Sequence, residues 1–274
     1  MSFLRVVEVF PPLVPDPATA AADWRPESWA KACSPLKEVA DVVLVADLAL
    51  PRRMFLSPVE AAARLKGHGF RAFPTLVVRD MNSAGFQTAL RSCAALGLDG
   101  VMVAWGDDYP AGSGVTNVRD YHTLAEAVKV ARSVLDESTG GSMLLAPVSL
   151  EKDPGAMSRG KERLEAGADY LLAQPPTTDA LGTFDSHLEL LEGAGLSGKV
   201  LLGVFPFRDD DDLAECESKF EWDLPERVHS IAQSGVEALD AECKSVVERL
   251  REEEMPGVYL STRGDPTWAQ RLLL

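Results

Sequence analysis

The sequence predicts an α/β fold in which eight parallel strands alternate with helices and close into one barrel. Eight short apolar runs recur along the 274 residues, and most are continuous, as expected of parallel strands covered on both faces. Segments with helical periodicity lie between these runs. No break in composition marks a domain boundary, so a single (βα)8 TIM barrel over residues 1–274 is favoured over an open, doubly wound sheet.

The predicted strands follow the apolar runs in order. The first, residues 5–10, combines β-branched and aromatic residues and stops at Pro11-Pro12, since proline lacks the amide hydrogen of the ladder. The other seven strands are predicted at residues 41–46, 72–78, 100–105, 142–147, 169–174, 199–205 and 257–261.

The predicted helices show apolar residues at helical spacing, and several stop at a glycine such as Gly97 or Gly167. The clearest lie at residues 58–65, 84–96, 124–135 and 159–166. One long helical stretch, residues 225–254, precedes the eighth strand, and residues 266–274 close the chain. Residues 11–27, rich in Pro, Ala and Asp, are predicted to form a loop over one end of the barrel.

Charge and composition exclude several classes of protein. The net charge of −15 argues against binding nucleic acid, whose phosphates attract basic surfaces, and against anionic membranes. No apolar run approaches the roughly 20 residues of a membrane span and no signal segment is evident, so we expect a cytoplasmic protein. The cysteines form no Cys-x-x-Cys pair and the histidines no His-x-x-x-His pair, so we expect isolated thiols and no metal.

Glu8 is a carboxylate inside the first predicted strand. Burying an ionised carboxylate is unfavourable, so such a group is either paired or carries a raised pKa. A carboxyl with a raised pKa can act as a general acid at neutral pH. The structural alternative is a Glu8 that faces outward or pairs with an arginine such as Arg5.

Polar residues follow the predicted strand ends, which is where the active sites of barrel enzymes lie. Asp47 follows the second strand as a substrate-binding candidate, and Asp107 follows the fourth, beside a Trp105 that could wall a ligand. Gln174 ends the sixth strand with a donor and an acceptor that could read the amide edge of a heterocycle. The alternatives are a Gln174 satisfied by neighbouring backbone and a Trp105 that only packs.

Four segments together resemble the methylenetetrahydrofolate reductase family, (βα)8 enzymes of one-carbon metabolism. Glu8-Val-Phe-Pro-Pro is similar to the family's Glu-Phe-Phe-Pro-Pro, and Trp105-Gly-Asp is similar to its Arg-Gly-Asp. The segment from Glu165 to Gln174, Glu-Ala-Gly-Ala-Asp-Tyr-Leu-Leu-Ala-Gln, is similar to the family's helix-to-strand segment ending in Gln. Gly203-Val-Phe-Pro is similar to its Gly-Ile-x-Pro, and all four occur in the family's order.

The resemblance implies the reduction of methylene-tetrahydrofolate, or a related methylene-tetrahydropterin, to the methyl form by hydride transfer. Glu8 would be the acid that opens the five-membered ring to an iminium ion, and Asp107 would hold negative charge near that cation. Gln174 would hydrogen-bond the pterin. Phe205 and Phe207 would stack on the aminobenzoate.

Two departures from the family pattern concern the flavin. Trp105 stands where the family has Arg, and Ala146-Pro-Val-Ser stands where it has Tyr-Pro-Glu, at positions that contact flavin in the family. Arg163 keeps one basic contact, so Trp105 and Arg163 are the predicted cofactor-binding residues. NAD(P)H is the implied hydride donor, acting directly, through FAD or FMN bound in a different way, or through an electron-supplying partner subunit. A homo-oligomer is the alternative to an assembly with such a partner subunit.

Two other functions fit the same residues. A barrel that uses the pterin pocket for methyl transfer would consume no reduced nicotinamide. A non-catalytic barrel subunit of a larger one-carbon enzyme complex would have Glu8 and Asp107 pointing away from any shared cavity.

Overall fold

Eight parallel strands close into one barrel. The protein is described by a computed structural model over residues 3–14, 26–47, 55–109, 114, 116–139, 141–150, 155–174, 184–204, 207–220, 226–262 and 264–274. Each strand pairs with its neighbour in sequence, and the eighth pairs with the first. This arrangement confirms the predicted (βα)8 TIM barrel.

The strands lie close to their predicted positions, and helices cover the outside of the barrel. The strands are β1 Leu4–Val9, β2 Val42–Val45, β3 Ala72–Val77, β4 Gly100–Ala104, β5 Met143–Ser149, β6 Tyr170–Gln174, β7 Val200–Val204 and β8 Gly257–Ser261. The helices are α1 Pro26–Ala32, α2 Pro58–Gly67, α3 Ser83–Ala95, α4 Leu124–Thr139, α5 Ala156–Glu165, α6 Phe184–Ala194, α7 Asp210–Phe220, α8 Glu226–Gln233, α9 Val236–Glu252 and α10 Pro266–Leu273.

Two sequence-based expectations about helices need correction. The stretch 225–254 contains two helices, α8 and α9, because Gly235 adopts a left-handed φ of +100° that interrupts helical geometry. The segment 11–27 is not loop throughout, since α1 begins at Pro26, a residue suited to the first helical turn. Residues 15–25 of that segment lie outside the described part of the chain.

The inward side chains of the strands stack in layers of four that come from alternate strands, as in other barrels of this type. The strand register places Val6, Phe73, Leu145 and Leu201 in one layer, and Leu44, Met102, Leu172 and Tyr259 in the next. Together with Val42, these eight residues form one buried cluster inside the barrel. A separate, larger cluster lies between the barrel and its helices. These two layers therefore fill the barrel beneath the layer that contains Glu8, and we call them the apolar plug.

Three cysteines are isolated, buried thiols. Cys33, Cys93 and Cys243 are free, and burial raises the pKa of each to about 12. In the described ranges, no group of three or more His, Cys, Asp or Glu side chains is arranged to hold a metal ion. Nor is any helix of those ranges long and apolar enough to cross a bilayer.

Candidate active site

Glu8 lies at the carboxyl end of β1, and its side chain points into the barrel. Val6 belongs to the cluster inside the barrel, and side-chain direction repeats every second residue of a strand. Ser261 of β8 lies directly beside Glu8 in the register, and its Oγ donates a 2.9 Å hydrogen bond to Glu8 Oε2. The Tyr259 hydroxyl donates a second hydrogen bond to the same carboxyl.

The environment of Glu8 favours its protonated form. Burial raises the pKa of Glu8 above its ordinary value, and the hydrogen bonds from Tyr259 and Ser261 oppose this rise without cancelling it. Both donors are fixed by packing, since Tyr259 is 4% exposed and Ser261 is 2% exposed. Glu8 itself keeps intermediate exposure at the barrel mouth. A carboxyl whose pKa is raised, and that has two donors ready to stabilise the anion, is suited to general acid catalysis.

The layer that contains Glu8 forms a cup above the apolar plug. The register places Thr75, Pro147 and Gly203 in the same layer as Glu8, one from each alternate strand. Only Glu8 and Thr75 carry polar side chains among these four. The next layer toward the mouth has small side chains at Ala46, directly after β2, and at Ala104 of β4. Glu8 and Thr75 are therefore the polar side chains of this layer, at the carboxyl end of the strands.

Gly203 makes room for the floor of the cup. A Cβ at this position would lie 2.6 Å from the carbonyl oxygen of Ala173 and 3.3 Å from the ring of Tyr259. A larger residue would therefore displace the β6 backbone or the Tyr259 ring. Because Tyr259 donates to Glu8, the absence of a side chain at Gly203 also supports the hydrogen bonding of the candidate acid.

A network of charged side chains joins the ends of β3 and β4. Arg79, which is 7% exposed, forms a bidentate ion pair with Asp80, with N···O distances of 3.0 and 2.8 Å. Its guanidinium also lies 3.9 Å from the centroid of the Tyr109 ring and donates to the backbone carbonyl of Asp107. Burial opposes ionisation of Asp80, but hydrogen bonds from Arg79 and Tyr109 hold the pKa of Asp80 below its ordinary value. The rim at these two strands is thus fixed before any ligand binds.

Asp47 lies at the edge of this network. Burial, followed by the like charge of Asp80, raises the pKa of Asp47 from 3.8 to about 6. The charge of Arg79 and a hydrogen bond from the Val77 amide act in the opposite direction. Asp47 keeps intermediate exposure, so a ligand at the mouth can reach it. Its predicted role in substrate binding stays a prediction.

Asp107 lies on the exposed rim after β4. Its backbone carbonyl is held by Arg79, while its side chain is exposed. Gly106 allows this close approach, since it adopts a φ of +79° and a Cβ there would lie 2.3 Å from Val77 Cγ1. The catalytic role predicted for Asp107 needs the side chain to turn toward a bound ligand, and it stays a prediction.

The two residues predicted to bind a cofactor line one pocket. Trp105 and Arg163 face a space of about 300 Å³ beside the ends of β4 and β5, together with Arg159, Glu162 and the start of α4. The Arg163 Nη1 donates to the carbonyl of Pro147, and burial followed by the charge of Arg159 lowers the pKa of Arg163. The Arg119 guanidinium lies 4.5 Å from the centroid of the Trp105 ring.

This pocket fits part of a dinucleotide better than a whole one. Small-molecule sites span roughly 300–1,000 Å³, so a pocket of about 300 Å³ lies at the low end. An aromatic ring and two arginine side chains suit an anionic, ring-bearing fragment. Trp105, Arg159 and Arg163 are therefore the residues that would hold such a fragment.

The remaining predicted site residues are Gln174, Phe205 and Phe207, and the structure tests only the last of them. The backbone of Gln174 ends β6, but its side chain and all of Phe205 lie outside the described part of the chain. Phe207 is only 1% exposed and packs with Leu213 and Val228 in a small core under α7, α8 and α9. The prediction that Phe207 stacks on a ligand is therefore wrong, because helix packing already encloses its ring.

Sequence reasoning missed several polar residues of the site, among them Thr75, Tyr259 and Tyr109. Thr75 and Tyr259 sit inside apolar strands, where they read as ordinary strand formers, and Tyr109 sits in a glycine-rich loop. The signal that identifies Thr75 and Tyr259 is their inward direction. That direction follows from the register with Glu8, which the sequence alone does not give.

Comparison with known proteins bears on the fold. No protein-family model matches the chain, and no curated protein matches it. Among solved structures, it is similar to a mutant of catalytic domain 2 of the Ostrinia furnacalis group II chitinase, in complex with penta-N-acetylchitooctaose. The TM-score is 0.53 at 14% identity, and the alignment covers 94% of this chain and 89% of that chain. At this identity the likeness supports the fold alone, so the chain is a (βα)8 barrel.

Proposed function

We propose that the protein reduces methylene-tetrahydrofolate, or a related methylene-tetrahydropterin, to the methyl form with Glu8 as general acid. The observation that carries the proposal is the Glu8 carboxyl, which points into the barrel mouth with a raised pKa and two hydroxyl donors. The four segments that resemble the methylenetetrahydrofolate reductase family begin at this residue. A non-catalytic subunit would have no use for an inward acid at the mouth.

Glu8 supplies the proton that opens the substrate ring. The protonated carboxyl donates to the ring nitrogen that leaves the bridging carbon, and the lone pair of the other nitrogen forms the iminium ion. Positioned proton transfer of this kind typically contributes about 10²–10⁴-fold to the rate. Ser261 and Tyr259 then stabilise the carboxylate, since hydrogen bonds to an ionised acceptor are stronger than neutral ones.

The acidic rim favours the cationic intermediate. Asp107 and Asp47 lie at the carboxyl ends of β4 and β2, and the whole chain carries a net charge of −15. Preorganised negative charge near a developing cation lowers the barrier without reorganisation at the moment of reaction. Gln174 at the end of β6 is the proposed hydrogen-bond partner of the pterin ring, and Phe205 the proposed stacking residue.

A reduced nicotinamide, when bound, would supply the hydride that converts the iminium to the methyl group. Trp105, Arg159 and Arg163 are the chain's own residues for holding an anionic part of that donor. The plug beneath the cup excludes water from below, since Leu44, Met102 and Leu172 are buried. Water exclusion protects the iminium from hydrolysis.

The test is a turnover assay with methylene-tetrahydrofolate and NADH or NADPH, with and without added FAD or FMN. We expect methyl-tetrahydrofolate by mass spectrometry and an equal amount of nicotinamide oxidised. Methyl transfer without nicotinamide oxidation would instead identify a methyltransferase. If the folded protein neither turns over nor binds a tetrahydrofolate, the proposal is wrong.

A further inference from the structure

Thr75 carries a buried hydroxyl whose Oγ1 has no hydrogen-bond partner among the described residues. The residue lies in the middle of β3 and is 7% exposed. Buried polar atoms in folded proteins are nearly always hydrogen-bonded, so this atom requires an explanation. Valine has nearly the same shape without the hydroxyl and occurs on the same strand at Val77, so packing alone does not explain a threonine here.

Thr75 and Glu8 belong to the same layer of the barrel. The register runs from Glu8 to Leu44 and from Leu44 to Phe73, and the strand tilt brings Thr75 to the level of Glu8. The two strands are separated by β2, so their backbones lie roughly 10 Å apart at 4.7–4.9 Å for each strand spacing. The two side chains therefore face the same part of the barrel interior.

The other two members of the layer do not compete for the Thr75 hydroxyl. Pro147 has no side-chain donor or acceptor, and Gly203 has no side chain. The floor below is the apolar layer that includes Leu44 and Met102. Thr75 and Glu8 are thus the polar side chains of this layer, and the Thr75 hydroxyl has no partner within it.

We propose that Thr75 is a substrate-binding residue whose hydroxyl hydrogen-bonds the heterocyclic ring that Glu8 protonates. A hydroxyl both donates and accepts, so it can pair with a ring nitrogen or with an adjacent carbonyl group. The inference rests on the proposed function for the identity of the ring. It adds a second polar contact that fixes the ring relative to the acid.

The test compares Thr75→Val with Thr75→Ser, which keeps the hydroxyl, and uses Thr88→Val on the exposed face of α3 as the matched control. The affinity for tetrahydrofolate is measured by calorimetry, and the melting temperature is measured without ligand. Thr75→Val should bind about 5- to 10-fold more weakly, as expected for one hydrogen bond. Its melting temperature should equal or exceed that of the wild type, because the hydroxyl has no partner to lose. Thr75→Ser should retain most of the affinity.

The outcomes separate this inference from the proposed function. If the wild type and Glu8→Gln both bind tetrahydrofolate and Thr75→Val binds equally well, Thr75 has no binding role while the proposed function stands. If Thr75→Val lowers the melting temperature by several degrees, the hydroxyl is a structural group and the inference is overturned. If the wild type binds no tetrahydrofolate, both proposals fall together.

Discussion

Replacing Asp47 with Asn should stabilise the protein at neutral pH, by an amount that depends on pH. Burial and the charge of Asp80 raise the pKa of Asp47 from 3.8 to about 6. Each pKa unit corresponds to 1.36 kcal/mol, so ionising this carboxyl in the folded protein costs about 3 kcal/mol of folding free energy. An asparagine of nearly the same shape carries no such cost.

The sign of the effect follows from proton binding. Well below pH 4 the Asp47 carboxyl is protonated in both the folded and the unfolded protein, and it costs nothing. Between about pH 4 and pH 6 the unfolded chain has released a proton that the folded protein still holds, so the stability of the wild type falls as pH rises. Above about pH 6 both states are ionised, and the loss is complete.

Urea denaturation of the wild type and Asp47→Asn at several pH values measures this effect. The difference in the free energy of unfolding, variant minus wild type, should increase by up to about 3 kcal/mol between pH 4 and pH 7. Asp211→Asn, at an exposed position of α7, is the matched control and should show little change. A difference that stays constant over this range, or one that shrinks as pH rises, would refute the burial of Asp47.

Three further predictions concern the site. Ser261→Ala removes a donor to Glu8 Oε2, so the pKa of Glu8 should rise and the alkaline loss of activity should move up by about one pH unit in a pH–rate profile. Gln174→Ala should weaken tetrahydrofolate binding by about 1–3 kcal/mol in calorimetry with little change in melting temperature; a large stability loss at unchanged affinity would mark a structural residue. The protein should purify without stoichiometric flavin, given Trp105 and a pocket of about 300 Å³, and a flavin absorbance that survives gel filtration at one equivalent would contradict this.

The strands were predictable because each one is a short apolar run between turn residues. Parallel strands covered on both faces need no alternation, so the run itself is the signal. The break at Gly235 was harder to see, since helical periodicity continues on both sides of it. Only the left-handed backbone shows that α8 and α9 are separate helices.

The site was predictable only in part, because side-chain direction depends on the register of the barrel. Glu8 stands out as a charge in an apolar strand, but Thr75 and Tyr259 look like ordinary strand residues. Their inward direction follows from pairing across several strands. The prediction for Phe207 was wrong for a related reason. Its position just after β7 in the sequence suggested a place at the barrel rim, whereas its ring packs under α7.

The central claim is tested most directly by the turnover of Glu8→Gln with methylene-tetrahydrofolate at saturating hydride donor. Glutamine is nearly isosteric and can still hydrogen-bond, but it cannot donate a proton to the leaving nitrogen, so kcat should fall by about 10²–10⁴-fold. Tetrahydrofolate binding should persist, and Glu189→Gln, at an exposed position of α6, should retain wild-type activity. The alkaline limb of the wild-type pH–rate profile should be absent from the residual activity of Glu8→Gln. Near-wild-type turnover by Glu8→Gln would show that Glu8 is not the acid.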